Sequence, residues 1–342
     1  MYDVIFDGRW RGAHGIGRFA TEVEKALCLR DAGLRGNPAS PLDCVYLSAK
    51  LLLTKNGIFF SPGFNYPLLY HGMGMLVVHD LIHFDVPAPH SFIKKIYCSS
   101  VLRYACRRAS LVLTVSQFSA DRIVAFAGVD PEKVVVVGNG VSSVFSVDGP
   151  IFSLGEDELY FLAISNGKHH KNTETVIKGF LDAKLGDKAK LIFVGAPSQQ
   201  VAALVSKLRA HESIWFMGKV SDVELASLYR GAVALIFPSL YEGFGLPIVE
   251  SMACGTPVIT SNCTAMPEVA GGAALLVDPL SAEQIAASAT QLLDDRDLRN
   301  SLAQKGVVRA GDFRWADVGT RIHAALAMLR IGVEVPERGK FS

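Results

Sequence analysis

The sequence lacks the features that mark secreted, membrane-spanning and nucleic-acid-binding proteins. Its 34 lysines and arginines nearly balance its 33 aspartates and glutamates, so no overall field attracts a polyanion. No apolar run approaches the roughly 20 residues that cross a bilayer. The 6 cysteines include no Cys-x-x-Cys pair, and the opening Met-Tyr-Asp-Val lacks the basic and apolar regions of a signal peptide. We therefore expect reduced thiols and a cytoplasmic protein.

What the chain has in abundance is apolar sequence. Of its 342 residues, 50% are hydrophobic and 20% are charged, and the mean hydropathy is +0.28. At roughly 150 residues per domain, this length predicts two domains. The composition can supply two buried cores and argues against disorder.

Short apolar segments alternate with longer helical patterns along the whole chain. Segments this short and this continuously apolar are typical of strands buried on both faces of a parallel sheet. The alternation predicts an α/β protein with two doubly wound units. The Ser-, Gly- and Asp-rich residues 142–158 are the predicted linker, and we place the domains at 1–148 and 149–342. The predicted strands are 2–6, 44–47, 58–60, 75–78, 111–115, 134–137, 160–164, 190–194, 214–216, 232–237, 257–260 and 274–277.

The most informative segment comes directly after the predicted strand 232–237. Residues 238–250 read Pro-Ser-Leu-Tyr-Glu-Gly-Phe-Gly-Leu-Pro-Ile-Val-Glu. Pro247 suits the first turn of a helix, where no backbone N–H is needed. The amide groups of 243–246 and the positive helix end can then bind an anion. Glu242 in the loop and Glu250 on the helix can accept hydrogen bonds from hydroxyl groups, as on a sugar and a ribose.

Glu242 and Glu250 carry a specific resemblance. They lie in Glu-Gly-Phe-Gly-Leu-Pro-x-x-Glu, followed by Ala-Cys-Gly-Thr-Pro-Val, which resembles the signature of the family 4 retaining glycosyltransferases. The resemblance implies the GT-B fold, in which two Rossmann-like domains face a central cleft. It implies that Glu250 binds the donor ribose, and that Glu242 with the backbone of Phe244, Gly245 and Leu246 holds the donor sugar and phosphates. A surface Glu pair on an ordinary loop and helix is the alternative.

A basic turn lies just beyond the predicted strand 160–164. Its end, Lys171-Asn172, resembles the phosphate-binding cluster of the same family, which implies that Lys171 is the main ligand of the donor diphosphate. The family usually has an arginine a few residues earlier, where this chain has Lys168, so Lys168 is the candidate second cation. A solvated basic turn is the alternative. We interpret His169 and His170 as shape or surface residues rather than metal ligands.

A glycine turn and a helix start lie near residue 220. Ser221 and Glu224 match a capping box, so a helix begins just after Gly218. The resemblance implies that backbone near Gly218 and Val220 brackets the nucleotide base. Capping alone explains the segment equally well.

In the amino-terminal half, Gly15 and Gly17 come after the first predicted strand and allow a close approach of backbone to a ligand. A NAD-binding dehydrogenase would add an acidic residue at the end of a second strand about 20 residues on. Residues 30–33 look helical and then loop-like instead, which weakens that interpretation. The resemblance implies that Gly15, Gly17 and Arg18 face the donor pyrophosphate and the acceptor.

His79 stands at the carboxyl end of the predicted strand 75–78. His79-Asp80 resembles a family pair whose histidine lies near the donor sugar, and Asp80 could orient the imidazole. A core histidine is an alternative interpretation. His79 and His83 also have the spacing of a helical zinc pair, but the preceding strand and Pro87 argue against a helix there.

A basic segment and an Asp-x-Asp sequence complete the candidates. Residues 90–108 mix five cations with apolar residues, and no acidic residue occurs from 86 to 120. This asymmetry suits anionic lipid headgroups at the inner face of a membrane, although a basic helix covering the sheet fits as well. Asp295-Arg296-Asp297 resembles the metal-binding pair of the other glycosyltransferase fold but lies at a helix junction. We interpret it as capping and predict no metal and no cofactor.

Together these features predict a retaining, metal-independent glycosyltransferase. It would move a hexose, with GDP-linked mannose or a related deoxyhexose as the expected donor, to a glycan or lipid-linked acceptor in surface-polysaccharide synthesis. Lys171 and the 243–246 amide groups would stabilise the departing diphosphate, while Glu242 and His79 position the sugar. Residues of about 313–330 look like the closing segment of the family, which crosses back to the amino-terminal domain. A nucleotide-sugar epimerase of GT-B fold, a NAD-dependent oxidoreductase and a non-catalytic binding protein are the alternatives.

Overall fold

The strands of the residues that the structure describes lie in two parallel sheets. The computed structural model describes residues 3–12, 14–54, 57–86, 92–156 and 158–331, apart from the side chains of 3, 92–98, 330 and 331. The chain divides into a first unit, Met1–Gly140 with Arg314–Ser342, and a second unit, Val141–Phe313. Each unit contains one of the sheets.

The first unit contains a five-stranded parallel sheet in the order β1-β2-β3-β4-β5. Its middle strands are buried because helices cover both faces, as the apolar sequence predicts. The strands are β1 (Asp3–Phe6), β2 (Gly57–Ser61), β3 (Met73–Val77), β4 (Leu111–Thr114) and β5 (Val134–Val136). The α-helices in the described part of this unit up to Gly140 are α1 (Gly15–Leu27), α2 (Asp43–Leu51), α3 (Ile82–Asp85), α4 (Phe92–Arg108) and α5 (Gln117–Ala127).

The predicted strand 44–47 is wrong, because these residues lie in α2. A four-residue apolar run does not distinguish a strand from a helix. Cys44, Leu47 and Leu51 recur at helical spacing, and all three are buried. The Ser48 hydroxyl donates to the Cys44 carbonyl one turn earlier, at 2.6 Å. Burial of one helix face therefore decides the local structure.

The second unit contains a six-stranded parallel sheet in the order β11-β10-β9-β6-β7-β8. The strand order reverses between β9 and β6, which is where ligands bind in sheets of this kind. The strands are β6 (Leu159–Ile164), β7 (Ala189–Val194), β8 (Ile214–Phe216), β9 (Leu235–Phe237), β10 (Val258–Ser261) and β11 (Leu275–Val277). The helices are α6 (Thr173–Asp182), α7 (Gln199–Lys207), α8 (Asp222–Gly231), α9 (Leu246–Ala253), α10 (Met266–Ala270), α11 (Ala282–Asp294) and α12 (Arg296–Ala310).

The last helix, α13 (Trp315–Ile331), is counted with the first unit. It packs against α1, where a Cβ on Gly319 would lie 3.0 Å from the Ala26 side chain. Arg321 donates to the Val137 carbonyl at 3.0 Å, beyond the end of β5. The carboxyl-terminal helix thus completes the first unit.

The predicted linker, residues 142–158, packs on the second unit. The Arg230 guanidinium of α8 donates to the carbonyls of Val144, Ser146 and Pro150 at 3.2, 2.8 and 2.8 Å. These bonds hold the segment against α8. The units therefore divide after Gly140 rather than at the predicted position 148.

Two helix starts agree with the sequence. Ser221 and Glu224 form the predicted capping box at the start of α8. Asp295 caps α12, because its carboxylate accepts from the Leu298 amide at 2.9 Å. Both predictions are confirmed.

The described cysteines are free thiols, namely Cys28, Cys44, Cys106, Cys254 and Cys263. Burial raises the pKa of Cys106 and of Cys254 to about 12, which keeps both thiols protonated. Among the helices of the described ranges, none is long and apolar enough to cross a membrane.

Candidate active site

The candidate site lies in the second unit, at the carboxyl ends of the adjacent strands β6 and β9. The Lys171 ammonium, which lies after β6, donates to Glu242 Oε1 at 2.6 Å. Glu242 lies after β9, and the ring centre of Phe237 at the end of that strand lies 4.7 Å from Lys171 Nζ. The side chains of Lys171 and Glu242 are only 11% and 16% exposed. The structure thus brings together the two residues on which the diphosphate and sugar predictions depend.

Asn172 holds Lys171 in place through the neighbouring loops. Its backbone is left-handed, with φ 55°, and it ends the short turn His169–Lys171. The buried Asn172 amide donates to the carbonyls of Pro238 and Pro279 at 3.0 and 2.6 Å. One side chain therefore connects the loops at the ends of β6, β9 and β11.

The loop before α9 offers backbone amides next to this pair. Gly245 adopts φ 100°, a backbone conformation that favours glycine, and α9 begins at the next residue. Phe244 is buried and packs edge-on against Phe313, with ring centres 5.4 Å apart. Pro247 lies in the first helical turn, as predicted. The positive end of an eight-residue helix therefore comes directly after the Glu242 loop.

Glu250 lies one turn into α9 and is 5% exposed. The hydroxyl of Tyr229 on α8 donates to Glu250 Oε2 at 3.3 Å. Tyr229 is itself fully buried, so it fixes the carboxylate from a second helix. A buried and oriented carboxylate suits the acceptance of hydrogen bonds from a diol.

His170 lies beside this pair and is neutral at neutral pH. Burial, together with the nearby cations of Lys171 and Lys168 and against the opposing effect of Glu242, lowers the pKa of His170 to about 4. The His170 carbonyl accepts from the Leu240 amide at 2.8 Å. His170 thus contributes to the position of the loop after β9, in line with its interpretation as a shape or surface residue. Lys168 is exposed.

Gly218 and Val220 lie at the end of β8, at some distance in the sheet from β9. Gly218 has φ 68°, and its carbonyl accepts from the Gly195 amide at 2.7 Å. That carbonyl already joins the ends of β7 and β8, so a base contact at this position would use other backbone groups. Val220 is partly buried just before the α8 capping box.

In the first unit, His79 lies two residues beyond β3. Its Nε2 atom lies 3.0 Å from the Pro62 carbonyl, which can only accept, so Nε2 carries the proton. Burial lowers the pKa of His79 to about 4, and the Phe19 ring meets the imidazole edge-on at 4.9 Å. Asp80 accepts from the Ile82 amide at 3.0 Å. The Pro62 carbonyl thus orients the neutral imidazole.

Gly15 and Gly17 are the two glycines predicted to allow a close approach of backbone to a ligand, and the structure explains each of them differently. The His14 side chain caps α1 by accepting from the Gly17 amide at 3.0 Å. A Cβ on Gly17 would lie 2.4 Å from the Gly12 carbonyl oxygen, so Gly17 permits a close approach of the chain to itself. A Cβ on Gly15 would meet nothing within 4 Å. Gly15 therefore leaves the open backbone surface that a ligand could approach.

The structure does not support the zinc alternative, and it pairs the acidic residue that bears on the dinucleotide alternative with an arginine. His79 precedes α3, so His79 and His83 do not share a helix. Within the described ranges, no three His, Cys, Asp or Glu side chains gather as they would around a metal ion. Asp31 forms a bridge beside Phe6 rather than lying in a helix, and its carboxylate pairs with Arg11 at 2.5 Å. The Asp31 carboxylate therefore already forms an ion pair with Arg11.

Several residues that shape these sites were not predicted from the sequence. Thr264, after β10, accepts from the Glu242 amide at 3.4 Å. Phe237 contacts Lys171, and Tyr229 contacts Glu250. Thr264 and Phe237 lie at or just beyond strand ends, which is the signal that could have found them. Tyr229 lies in mid-helix and gave no such signal.

The fold defines an α/β protein with two parallel sheets, and comparisons with known proteins specify its class. The family described as "Glycosyl transferases group 1" matches residues 150–308, and "Glycosyltransferase Family 4" matches residues 61–144. O-antigen chain mannosyltransferase B of Escherichia coli is 30% identical over 289 residues, covering 80% of this chain and 75% of its own. O-antigen chain mannosyltransferase RfbU of Salmonella typhimurium is 36% identical over 207 residues, covering 60% of this chain and 56% of its own.

Solved structures agree on the fold. Sucrose-phosphate synthase from Thermosynechococcus elongatus superposes with a TM-score of 0.80 at 18% identity, covering 97% of this chain and 100% of that one. Anabaena HepE in complex with UDP-glucose gives a TM-score of 0.76 at 17% identity, covering 96% and 100%. The fold is therefore GT-B. The chain belongs to the family 4 glycosyltransferases, as the sequence motifs predicted.

Proposed function

We propose that this chain transfers mannose or a related deoxyhexose from a GDP-linked donor, with retention of configuration, in surface-polysaccharide synthesis. The acceptor is a glycan or a lipid-linked glycan. The observation that carries the proposal is the Lys171–Glu242 pair at the adjoining ends of β6 and β9, beside the amide end of α9. The O-antigen mannosyltransferases among the relatives support the choice of sugar and pathway class.

Lys171 is the group that stabilises the departing diphosphate. Its ammonium has three donors, and Glu242 uses one of them, so phosphate oxygens can bind to the remaining N–H groups. The amides of 243–246 add donors at the start of α9. Since both side chains are mostly withdrawn from water, their charges act more strongly than they would on the surface.

The carboxylates of Glu242 and Glu250 bind hydroxyl groups of the donor. Glu242 would accept from the sugar, and Glu250, held by Tyr229, would accept from the ribose. Backbone near Gly218 and Val220 would bracket the base, and Lys168 would be the second cation.

In the first unit, His79, Gly15 and Gly17 would face the sugar and the acceptor. His79 is neutral and has its Nε2 proton engaged with Pro62, so Nδ1 would act as an acceptor toward a sugar hydroxyl.

Retention in this proposal arises from attack of the acceptor on the same face as the leaving diphosphate. The leaving phosphate itself assists deprotonation of the acceptor, so no side chain serves as a covalent nucleophile. Charge on the diphosphate is neutralised by Lys171 and backbone amides rather than by a metal ion.

Contact with an anionic membrane through residues 90–108 remains part of the proposal. The side chains of Lys94 and Lys95 lie outside the described residues. Arg103 and Arg107 are exposed and donate to the last carbonyls of α5, at Phe126 and Ala127. These bonds give the arginines a structural role that does not prevent contact with lipid headgroups.

The test traces the donor through the reaction. The full chain would be screened against nucleotide sugars for thermal stabilisation in the presence of EDTA, and the best donor would be monitored by NMR for slow hydrolysis. We expect GDP-mannose to stabilise the protein and to release an α-configured sugar first. Release of the β-configured sugar, or loss of turnover in EDTA, would contradict retention or metal independence respectively. An epimerised nucleotide sugar would identify an epimerase instead.

A further inference from the structure

The first unit contains a buried cluster of charged side chains beside the carboxyl end of β1. The Arg9 guanidinium pairs with both oxygens of Asp7, at 2.8 Å each, and with both oxygens of Asp43, at 2.6 and 3.0 Å. We call these three residues the Arg9 cluster. Their side chains are 6%, 0% and 4% exposed. Arg9 also donates to the Arg35 carbonyl at 2.9 Å, so all five guanidinium N–H groups are bonded.

The Arg9 cluster is a costly way to fill the interior of the unit. Charges lose their hydration when they are buried, and apolar side chains of similar volume often give equal or greater stability. The consequence of the cluster therefore lies in the geometry that it fixes.

Asn65 connects the Arg9 cluster to the loop after β2. Its amide nitrogen donates to both carboxylates of the cluster, with Asp7 Oδ2 at 3.2 Å. Its amide oxygen accepts from the Trp10 indole N–H at 2.7 Å and from the Ser61 hydroxyl at 2.6 Å. Asn65 is 6% exposed, and both its donors and both its acceptor positions are used. Four hydrogen bonds thus fix this side chain.

The loop that Asn65 fixes also orients His79. The Pro62 carbonyl lies 3.0 Å from His79 Nε2, and β2 ends one residue before Pro62. A Cβ on Gly63 would lie 2.4 Å from the Trp10 ring, so the loop packs directly on that ring. The chain on both sides of Pro62 is therefore held, by the sheet before it and by Asn65 after it.

The other neighbours of the imidazole are less directional. Phe19 on α1 meets the ring edge-on, and the Ser119 hydroxyl of α5 donates to the His79 backbone carbonyl at 3.1 Å. His14, which caps α1, is the titratable side chain whose charge acts on His79. An apolar edge contact does not distinguish the two ring nitrogens, whereas a carbonyl accepts only from the protonated one. The Pro62 carbonyl therefore selects the direction of Nε2–H and leaves Nδ1 as the acceptor.

We propose that Asn65 and the Arg9 cluster are positioning residues for glycosyl transfer, because they hold the carbonyl that orients His79. This inference rests on the proposed role of His79 toward the donor sugar. It assigns to residues outside the reacting groups the task of keeping the imidazole in one orientation.

A double-mutant cycle tests whether Asn65 acts through His79. His79→Ala should lower kcat for GDP-mannose hydrolysis about tenfold, through loss of a hydrogen bond to the sugar. Asn65→Ala should lower kcat about fivefold in the wild-type chain but less than about twofold in the His79→Ala chain. The KM for GDP-mannose should stay within about twofold, because the proposed diphosphate and ribose ligands lie in the second unit. Equal losses of kcat in both chains, or wild-type kcat in Asn65→Ala, would overturn the proposal.

Nuclear magnetic resonance gives a readout that does not depend on the donor. With isotopically labelled histidine, the exchange of the His79 Nε2 proton with water reports how firmly the Pro62 carbonyl holds it. Asn65→Ala should accelerate this exchange about tenfold or more. Ser61→Ala, a milder change that removes one donor to Asn65, should accelerate it about threefold.

Unchanged exchange in Asn65→Ala, or in Ser61→Ala if Asn65→Ala does not fold, would overturn the proposal whatever the donor is. Faster exchange together with wild-type kcat in His79→Ala would instead contradict the role of His79 in the proposed function, rather than its positioning by Asn65.

The matched control is Ser48→Ala, which removes another buried hydrogen-bonding side chain of the first unit. Ser48 on α2 is 7% exposed, and its hydroxyl accepts from the amides of Leu68 and Leu69 at 2.8 and 3.1 Å. Its melting temperature should fall as that of Asn65→Ala does, while kcat and the exchange of the His79 proton stay at the wild-type values. Equally fast exchange in this control would indicate general loosening of the unit and would overturn the proposal.

Discussion

At the scale of single residues, the candidate active site consists of charged side chains that are largely buried. We selected Lys171, Glu242 and Glu250 as site residues because the motifs around them resemble those of the family. The sequence did not predict that Lys171 would contact Glu242 or that Tyr229 would hold Glu250, because residues 71 and 21 positions apart meet only through the sheet and the packing of α8 on α9. The sequence therefore indicated which residues belong to the site, but not which of them contact each other.

Glu250 provides a prediction at this scale. If its carboxylate binds the ribose hydroxyls, Glu250→Ala should weaken GDP binding about tenfold, the equivalent of one charged hydrogen bond. Binding of 2′,3′-dideoxy-GDP should change little, because it has no hydroxyls to lose. Titration calorimetry on both ligands measures the difference. Equal losses for the two nucleotides would refute the ribose assignment, and Tyr229→Phe, which keeps the carboxylate, should cost less.

The buried imidazole of His79 predicts a dependence of stability on pH. Burial lowers the pKa of His79 from 6.5 to about 4 in the folded chain, so between these pH values the unfolded chain binds an extra proton. Stability should therefore be highest above pH about 6.5 and fall toward pH 4, by at most about 3 kcal/mol from this group. The melting temperature as a function of pH should fall less steeply in His79→Asn. An unchanged slope in that variant would contradict a buried neutral imidazole.

At the scale of elements, the positions of strands and of two helix starts could be predicted from local sequence. Eleven of the predicted strands overlap observed ones, because continuous apolar runs bounded by turns suit a sheet covered on both faces. The exception, 44–47, became α2 because burial of Leu47 and Leu51 decided its conformation. Because of that error, Asp43 was not identified from the sequence as a buried residue. Its carboxylate and that of Asp7 both bind the buried Arg9 guanidinium.

The glycine loop before α1 gives a prediction with an internal control. Gly17→Ala should destabilise the first unit by about 1–3 kcal/mol, because its Cβ would overlap the Gly12 backbone. Gly15→Ala should change stability by less than about 1 kcal/mol, since its Cβ meets nothing within 4 Å and alanine is a good helix former. Urea unfolding of the two variants measures both values. Similar losses in the two variants would show that the loop is not packed as described.

The start of α12 distinguishes capping from metal binding. Asp295→Ala should lower stability by about 1 kcal/mol through loss of the cap on Leu298, with glycosyl transfer unchanged. Thermal unfolding and a transfer assay in EDTA measure these effects. Loss of transfer in this variant, restored by a divalent ion, would assign Asp295 to a metal site.

At the scale of the whole molecule, length and alternation were enough to predict two α/β units. Length and alternation alone did not place α13 with the first unit, which only the family resemblance implied. They also did not place the 142–158 segment with the second unit. Both placements depend on contacts between residues distant in sequence, such as Arg321 with Val137 and Arg230 with Ser146. The family motifs led to the second sheet because parallel strands direct their carboxyl ends to one edge, where Lys171 and Glu242 meet.

The most direct test of the donor site is calorimetric binding of GDP-mannose to the full chain in EDTA. The wild type should bind at one site, and Lys171→Met should bind about tenfold to a hundredfold more weakly, because a charged hydrogen bond to the diphosphate is lost. Lys178→Met, an exposed lysine on α6, should bind like the wild type. Wild-type affinity in Lys171→Met, or binding of NAD with no nucleotide sugar bound, would contradict the account.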